Sequence, residues 1–221
     1  PHATMSATTP VYRPAAVKVN HMEQRQTALV PRDRQPWPPD DSEESVVGSE
    51  YRQRIIDGVR DGLEMAAGAS WHVHSQVTIG GFRRLDGSPY TMLPDVFVVP
   101  LANPHPESGR PLTFAEVGVP WLAVEVLSDT TSRWDLDDRR GKAWSYAEAG
   151  VAEYIAVDYA RRYMSEPVRA LRLGDGGWAP WPISPAGRWE SVQLGVSFAF
   201  NGLYLRVYDV EGRLQPLPHE S

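Results

Sequence analysis

The hydrophobic residues between positions 49 and 67 recur at helical spacing. They share one face of a predicted helix, while arginine, aspartate and glutamate occupy the opposite face. Ser49 is a suitable N-cap and Gly68 a suitable stop, so the pattern predicts a helix over residues 49–67. The residues on the apolar face are Ile55, Ile56, Val59 and Leu63.

The residues before this helix show no such period. Residues 1–45 mix Pro, Arg, Gln, Asp and Ser, which predicts an extended, loop-rich N-terminal arm. The first four residues, ahead of Met5, are expected to be vector-derived. Residues 46–221 are long enough to bury one core and are expected to form a single domain.

Short apolar runs after the helix predict strands, because they are rich in β-branched and aromatic residues. Residues 80–89 and 174–177 are predicted to be turns. A helix over residues 135–149, ending at Gly150, separates two of the strands and allows a right-handed crossover with the strands parallel. The predicted strands are residues 71–79, 95–99, 122–127, 152–158, 168–173, 190–194, 196–200 and 203–208. The predicted fold is therefore α/β, a mixed β-sheet flanked by a few helices, with additional C-terminal strands.

Composition narrows the classes of protein that remain. The 221 residues include no cysteine, which excludes disulfides and thiolate zinc sites. The formal net charge of −6 argues against coating nucleic acid by bulk electrostatics, but not against a small basic cleft. No apolar run approaches the roughly 18 residues that span a bilayer. The protein is predicted to be cytoplasmic, with no membrane partner.

Two acids lie within apolar strand-like runs. Glu125 interrupts residues 122–127, and an unpaired ionised carboxylate in an apolar interior is costly. Glu125 is therefore protonated, paired with a basic side chain, or placed at a strand end to bind a metal. Asp95 opens a second run of the same kind. Hard oxygen ligands suit Mg²⁺ or Mn²⁺, so Asp95, Glu125 and the backbone carbonyl of Val126 are predicted metal ligands, and Lys142 a catalytic cation.

Each of these residues also has an ordinary structural interpretation. Asp95 follows a proline and could cap a turn. Glu125 could be half of a buried ion pair with an arginine. Lys142 could be a solvated lysine on an amphipathic helix, and Arg139 is the alternative cation on the same helix edge.

Other polar residues are weaker candidates. His72 and His74 would point the same way on a strand but lack a nearby third ligand, so a polar surface is favoured over metal binding. Asp158 is interpreted as a strand-end acid and Ser128 as a turn cap. Glu50, on the first helix, is a remote candidate for an additional acid near the metal.

Taken together, the residues from about 90 to 160 resemble a known family, the Uma-two restriction endonucleases of the PD-(D/E)xK nuclease superfamily. The resemblance implies a restriction-endonuclease-like core in which Asp95 and Glu125 are metal ligands and DNA is the substrate. In the superfamily a catalytic lysine usually lies two residues after the acid, and this chain has Leu127 there. In the Uma-two family that lysine lies on the following helix, which corresponds to Lys142 in this chain. The matching residues are Pro94-Asp95, Glu125-Val126-Leu127-Ser128, Asp135, Lys142, Tyr146, Gly150-Val151, Glu153-Tyr154 and Val157-Asp158.

Three functions compete at this point. The first is a Mg²⁺-dependent DNA endonuclease, for which a homodimer is considered because double-strand cleavage usually needs two sites. The second is a catalytically weak or inactive nuclease-fold module that binds nucleic acid or a protein partner. The third is an interaction protein that works through the Trp- and Pro-rich residues 31–41.

Overall fold

The computed structural model of this chain describes residues 42–67, 70–101, 110–129, 132–136 and 141–217. Residues 1–41 of the predicted arm lie outside the described residues, as does Gly68, the predicted stop of the first helix. Helix α1 spans Ser42–Ala67, so it begins seven residues before the predicted N-cap, and residues 42–45 of the predicted arm are helical.

A six-stranded mixed sheet forms the centre of the fold, in the order β1-β4-β6-β7-β8-β9. β6 and β7 are parallel, as the helical residues between them allow, and the other neighbouring strands of this sheet are antiparallel. The strands are β1 (Trp71–Ser75), β4 (Val96–Pro100), β6 (Leu122–Val126), β7 (Glu153–Val157), β8 (Val168–Gly174) and β9 (Gly177–Pro180).

Two three-stranded sheets complete the architecture that the structure describes. One has the order β3-β2-β5 and the other β10-β11-β12. The prediction of a plain turn over residues 80–89 is wrong, because most of β2 and the start of β3 lie there. The strands are β2 (Ile79–Arg83), β3 (Pro89–Met92), β5 (Leu112–Thr113), β10 (Trp189–Glu190), β11 (Ser197–Phe200) and β12 (Leu205–Tyr208).

The predicted helix over residues 135–149 is two helices. α3 spans Ser132–Leu136 and α4 spans Lys142–Ala149. Gly141 has an extended backbone and is the N-cap of α4, so one helix cannot run through this position. Gly150 ends α4 in the left-handed conformation, which confirms the predicted stop. A further short helix, α2, spans Phe114–Val117.

The two faces of the central sheet bury separate apolar clusters. Alternate residues of each strand point to opposite faces, so Leu122, Val124 and Val126 of β6 pack towards α1. Ala123 and Leu127 belong to the opposite cluster, with Tyr146 of α4. The apolar face of α1, at Ile55, Ile56, Val59 and Leu63, is buried as predicted. Glu125 alternates with these residues and so lies on the α4 side of the sheet.

Helix α1 also packs closely against the C-terminal strand. A Cβ atom added at Gly62 would lie 3.0 Å from the side chain of Val207, and one at Gly58 would lie 2.7 Å from that of Leu217. Glycine therefore allows the helix backbone to approach β12 and the residues that follow it. Within the described residues, no helix is both long and apolar enough to cross a membrane.

Candidate active site

Asp95 and Glu125 are brought together by the pairing of two antiparallel strands. In the register of β4 and β6, Val96 lies opposite Val124. Asp95 directly precedes β4, so it lies beside Glu125 at this end of the strand pair, where the Val126 N–H donates to its carboxylate over 2.7 Å. Both side chains are buried, with 4% and 1% exposure. The two acids predicted from the sequence therefore meet at neighbouring strand ends.

The Asp95 carboxylate is held by one arginine and one backbone amide. The Arg52 guanidinium donates to Oδ1 over 2.5 Å, and the Val126 N–H donates to Oδ2 over 2.7 Å. Burial raises the pKa of Asp95 above its ordinary value, while Arg52 and the amide oppose the shift. The capping interpretation of Asp95 does not describe this arrangement, because the carboxylate binds groups from a distant helix and a neighbouring strand.

The Glu125 carboxylate binds two side chains of α4. The Lys142 ammonium donates to Oε2 over 2.8 Å, and the Tyr146 hydroxyl donates to Oε1 over 2.5 Å. Complete burial raises the pKa of Glu125 to about 8, although the Lys142 charge favours ionisation. Burial together with Glu125 also raises the pKa of Tyr146 well above its ordinary value, so Tyr146 remains a hydrogen-bond donor.

Lys142 is the first residue of α4 and lies among acids. Its ammonium is 2.8 Å from Glu125 and 3.2 Å from Asp135, and it also contacts the Leu93 carbonyl oxygen at 3.5 Å. Burial alone would lower the pKa of Lys142, but Glu125 and Asp135 outweigh that effect and raise it. The surface interpretation of Lys142 is therefore wrong, because its side chain is 11% exposed.

Asp135 is a third acid of the site; the sequence placed it at the start of a helix and among the residues of the family pattern, but assigned it no role. Both of its carboxylate oxygens are buried without a hydrogen-bond partner among the described residues. Its one ion pair there is with Lys142. Buried carboxylates are normally hydrogen-bonded, so these unsatisfied oxygens indicate a place where a further cation or donor would be stabilised.

Arg52 was the second residue missed, because the arginines of the first helix were assigned to its solvent face. Arg52 instead lies one turn before Ile55 and Ile56, at the end of the buried stripe. Its Nε also donates to the Val126 carbonyl oxygen over 3.0 Å. The helical spacing of residues 52, 55, 56 and 59 is the signal that would have found it.

The types of donor atom at this site are those that a divalent cation prefers. Asp95, Glu125 and Asp135 supply carboxylates and Val126 a carbonyl, which are the hard oxygen ligands that Mg²⁺ prefers. Each carboxylate oxygen accepts up to two hydrogen bonds, so lone pairs remain beside Arg52, Tyr146 and Lys142. Across the described ranges, however, no three His, Asp or Glu side chains are close enough together to hold a metal ion.

The weaker candidates lie elsewhere or have structural contacts. His74 is buried and its ring stacks on Phe97 at 5.0 Å, so it is not a surface residue. Asp158 accepts hydrogen bonds from the backbone N–H groups of residues 162, 163 and 164, which supports its interpretation as a strand-end acid. Glu50 is exposed and pairs with Arg54. Arg139 lies outside the described residues.

Similarity to known proteins was found at two levels. Residues 77–207 match the family Uma2, described as "Putative restriction endonuclease". A solved structure, "a putative nuclease belonging to DUF820 from Anabaena variabilis ATCC 29413", is 12% identical with a TM-score of 0.39, over 61% of this chain and 71% of that chain. No curated protein matches. Because the family match covers more than half of the 221 residues, the chain belongs to the Uma-two family of restriction-endonuclease-like proteins.

Proposed function

We propose that this protein is a metal-dependent DNA endonuclease whose catalytic residues are Asp95, Glu125 and Lys142. The observation that carries the proposal is the position of the Lys142 ammonium, 2.8 Å from Glu125. Asp95 lies at the same end of the paired strands β4 and β6. Two carboxylates that hold a divalent cation, with a lysine beside them, are a group that can hydrolyse a phosphodiester. Membership of a family described as "Putative restriction endonuclease" supports the same reaction.

Asp95, Glu125 and the Val126 carbonyl would hold Mg²⁺ or Mn²⁺. Such an ion supplies a water molecule of lowered pKa and neutralises charge on the phosphoryl oxygens. Tyr146 fixes the rotamer of Glu125 by donating to Oε1, which leaves a defined direction for the remaining lone pairs. Lys142 holds a positive charge beside the acids, where negative charge develops on the phosphate during the reaction.

The choice of lysine at position 142 supports a chemical role. The chain contains 22 Lys and Arg residues, and only two of them, Lys18 and Lys142, are lysines. A buried structural ion pair is normally better served by arginine, which makes more hydrogen bonds and is less strongly hydrated. The ammonium is the compact cation that reaches both Glu125 and a substrate oxygen from the start of α4.

The experiment is cleavage of supercoiled plasmid by the full chain with Mg²⁺ or Mn²⁺. Glu125→Gln is expected to abolish nicking and linearisation. Glu153→Gln is the matched control, because Glu153 is also a buried glutamate, at the start of the neighbouring parallel strand β7, and binds Ser191 and Arg172 instead. Equal cleavage by the wild type and Glu125→Gln would disprove the proposal, and so would no cleavage by any of the three proteins.

A second function, a nuclease-fold module that binds DNA or a protein partner without cleaving, is favoured by one observation. Arg52 and Lys142 already neutralise Asp95 and Glu125, as they would in a purely structural cluster. Binding of labelled duplex DNA by the wild type, with no cleavage in either metal, would support this second function. Light scattering on the same complex would show whether a homodimer forms on the duplex.

A further inference from the structure

Arg52 contacts two of the atoms that are proposed to hold the metal. Its Nη2 is 2.5 Å from Asp95 Oδ1, and its Nε is 3.0 Å from the Val126 carbonyl oxygen. The side chain comes from α1, whose buried stripe packs on the opposite face of the sheet from α4. One guanidinium thus bridges a carboxylate and a carbonyl that belong to different strands.

The position of Arg52 is fixed by its neighbours. Ile55 and Ile56, one turn further along α1, are almost completely buried, so the helix cannot rotate to carry Arg52 into solvent. The Val126 N–H holds the second oxygen of Asp95 and keeps the carboxylate turned towards Arg52. The arginine side chain itself is 25% exposed, so it has a solvent-facing route by which it could withdraw while α1 remains in place.

A guanidinium and a divalent cation compete for this place. Metal–oxygen bonds of about 2.0–2.6 Å would be made to the same oxygen atoms of Asp95 and Val126 that the Arg52 N–H groups bind, so the two cations would lie side by side. A second positive charge at that distance is also repelled by the first, most strongly in a site of low dielectric. Only molecules in which the guanidinium has withdrawn can bind the metal. The apparent metal affinity is therefore the intrinsic affinity multiplied by the fraction of such molecules.

We propose that Arg52 is an internal competitor for the divalent cation, which binds at Asp95 and the Val126 carbonyl only when the Arg52 side chain withdraws. The inference rests on the proposed metal site at these residues. If Arg52 competes in this way, the metal affinity of the protein depends on a residue of α1 as well as on the residues that supply the ligands.

Calorimetric titration of the DNA-free protein with Mn²⁺ tests the competition directly. Arg52→Met keeps most of the side-chain length and removes the guanidinium, and we expect Mn²⁺ to bind about tenfold more tightly or better. Arg54→Met is the matched control, since Arg54 lies on the same helix, is exposed and pairs with Glu50. It loses the same charge and is expected to bind Mn²⁺ as the wild type does.

A measurement on the wild type keeps the test valid if Arg52→Met does not fold. The NMR signal of the Arg52 Nε–H is assigned by its absence in Arg52→Lys and followed during titration with Mg²⁺. Release from the Val126 carbonyl is expected to speed its exchange with water, while the Arg54 signal stays unchanged. An Arg52 signal unaffected at saturating Mg²⁺ would overturn the proposal, as would equal Mn²⁺ affinities for Arg52→Met and Arg54→Met.

These outcomes are distinct from failure of the proposed function. If the wild type cleaves DNA and binds Mn²⁺ but the Arg52→Met affinity is unchanged, only the role of Arg52 is refuted. If neither the wild type nor Arg52→Met binds Mn²⁺, the metal site and the competition both fail.

Discussion

The Lys142 ammonium lies 2.8 Å from Oε2 of Glu125, although the two residues are 17 positions apart and belong to different elements. Leu127, two residues after Glu125 on the sequence, belongs instead to the apolar cluster on the α4 side of the sheet. A lysine at the start of α4 thus reaches the acid without occupying a position on the strand. The cation and the carboxylate are supplied by separate elements, so Lys142 can be replaced without changing a residue of β6.

Replacing the acids is expected to remove cleavage and also to lower stability. Asp95→Asn and Glu125→Gln should each reduce metal-dependent cleavage by about 100-fold or more. Glu125→Ala should also unfold more easily by about 3 kcal/mol, because it leaves the buried Lys142 without its nearest carboxylate. Plasmid cleavage and urea unfolding of the three variants measure both effects. A Glu125→Ala protein as stable as the wild type would contradict the ion pair.

Two replacements of Lys142 test whether cleavage needs only a positive charge at this position or specifically an ammonium group. Lys142→Met should slow cleavage by about 100-fold or more, since it removes the positive charge beside the phosphate. Lys142→Arg keeps the charge but is longer and planar, and we expect it to be nearly as inactive in this buried space. Single-turnover rates at saturating Mg²⁺ compare the two. Full activity of Lys142→Met would remove lysine from the mechanism and make Arg139 the next residue to change.

Tyr146→Phe tests whether the orientation of Glu125 matters. Loss of the hydroxyl leaves a buried carboxylate oxygen without its donor, which should cost about 1–3 kcal/mol of stability. Metal affinity or activity should fall about 10- to 100-fold. Tyr90→Phe is the control, because the Tyr90 hydroxyl donates to Ser145 of the same helix rather than to an acid. Equal losses of activity in the two variants would show a general effect of helix packing.

Glu153 gives a prediction for the pH dependence of stability. Burial raises its pKa above 4.5, against the opposing effects of Ser191 and Arg172. As pH rises from about 4.5 to the raised pKa, the unfolded chain releases this proton before the folded protein does, so stability falls. Glu153→Gln cannot undergo that loss. Its free energy of unfolding relative to the wild type should therefore increase with pH above about 4.5.

Urea unfolding at several pH values between 4 and 8 measures this difference. A difference for Glu153→Gln that does not change with pH would mean that burial does not raise the pKa of this carboxyl in the folded protein.

The central strands and both acids could be predicted from the sequence, because their signals are local. An apolar run interrupted by one carboxylate identifies Glu125, and the run after Pro94 identifies Asp95. The parallel pairing of β6 and β7 followed from the helical residues between them. Lys142 was predicted as the cation of the site and also matches the family pattern, although the helix that carries it has other bounds than predicted.

What could not be predicted depends on tertiary contacts. The pair Gly80-Gly81 predicts a turn, but Gly81 lies within β2 at a φ of 121°. A Cβ atom added at Gly81 would lie 2.3 Å from the Phe114 ring. The glycine thus serves close packing rather than a change of chain direction. Asp135 could not be assigned, because its unsatisfied oxygens are a property of burial. Gly141 was compatible with a helix until its extended backbone was known.

The close packing of α1 against β12 has a consequence for how the protein is made. A ribosome releases the chain from its N-terminus at about 5–20 residues per second, so β12 emerges long after α1 and α4. Asp95, Glu125 and Lys142 can therefore come into contact before the last strand has been synthesised. At that stage Gly62 and Gly58 of α1 still lack their neighbours Val207 and Leu217. During that interval α1 lacks part of its packing surface. The contact between Arg52 and Asp95 is thus expected to reach its final geometry only after β12 has left the ribosome.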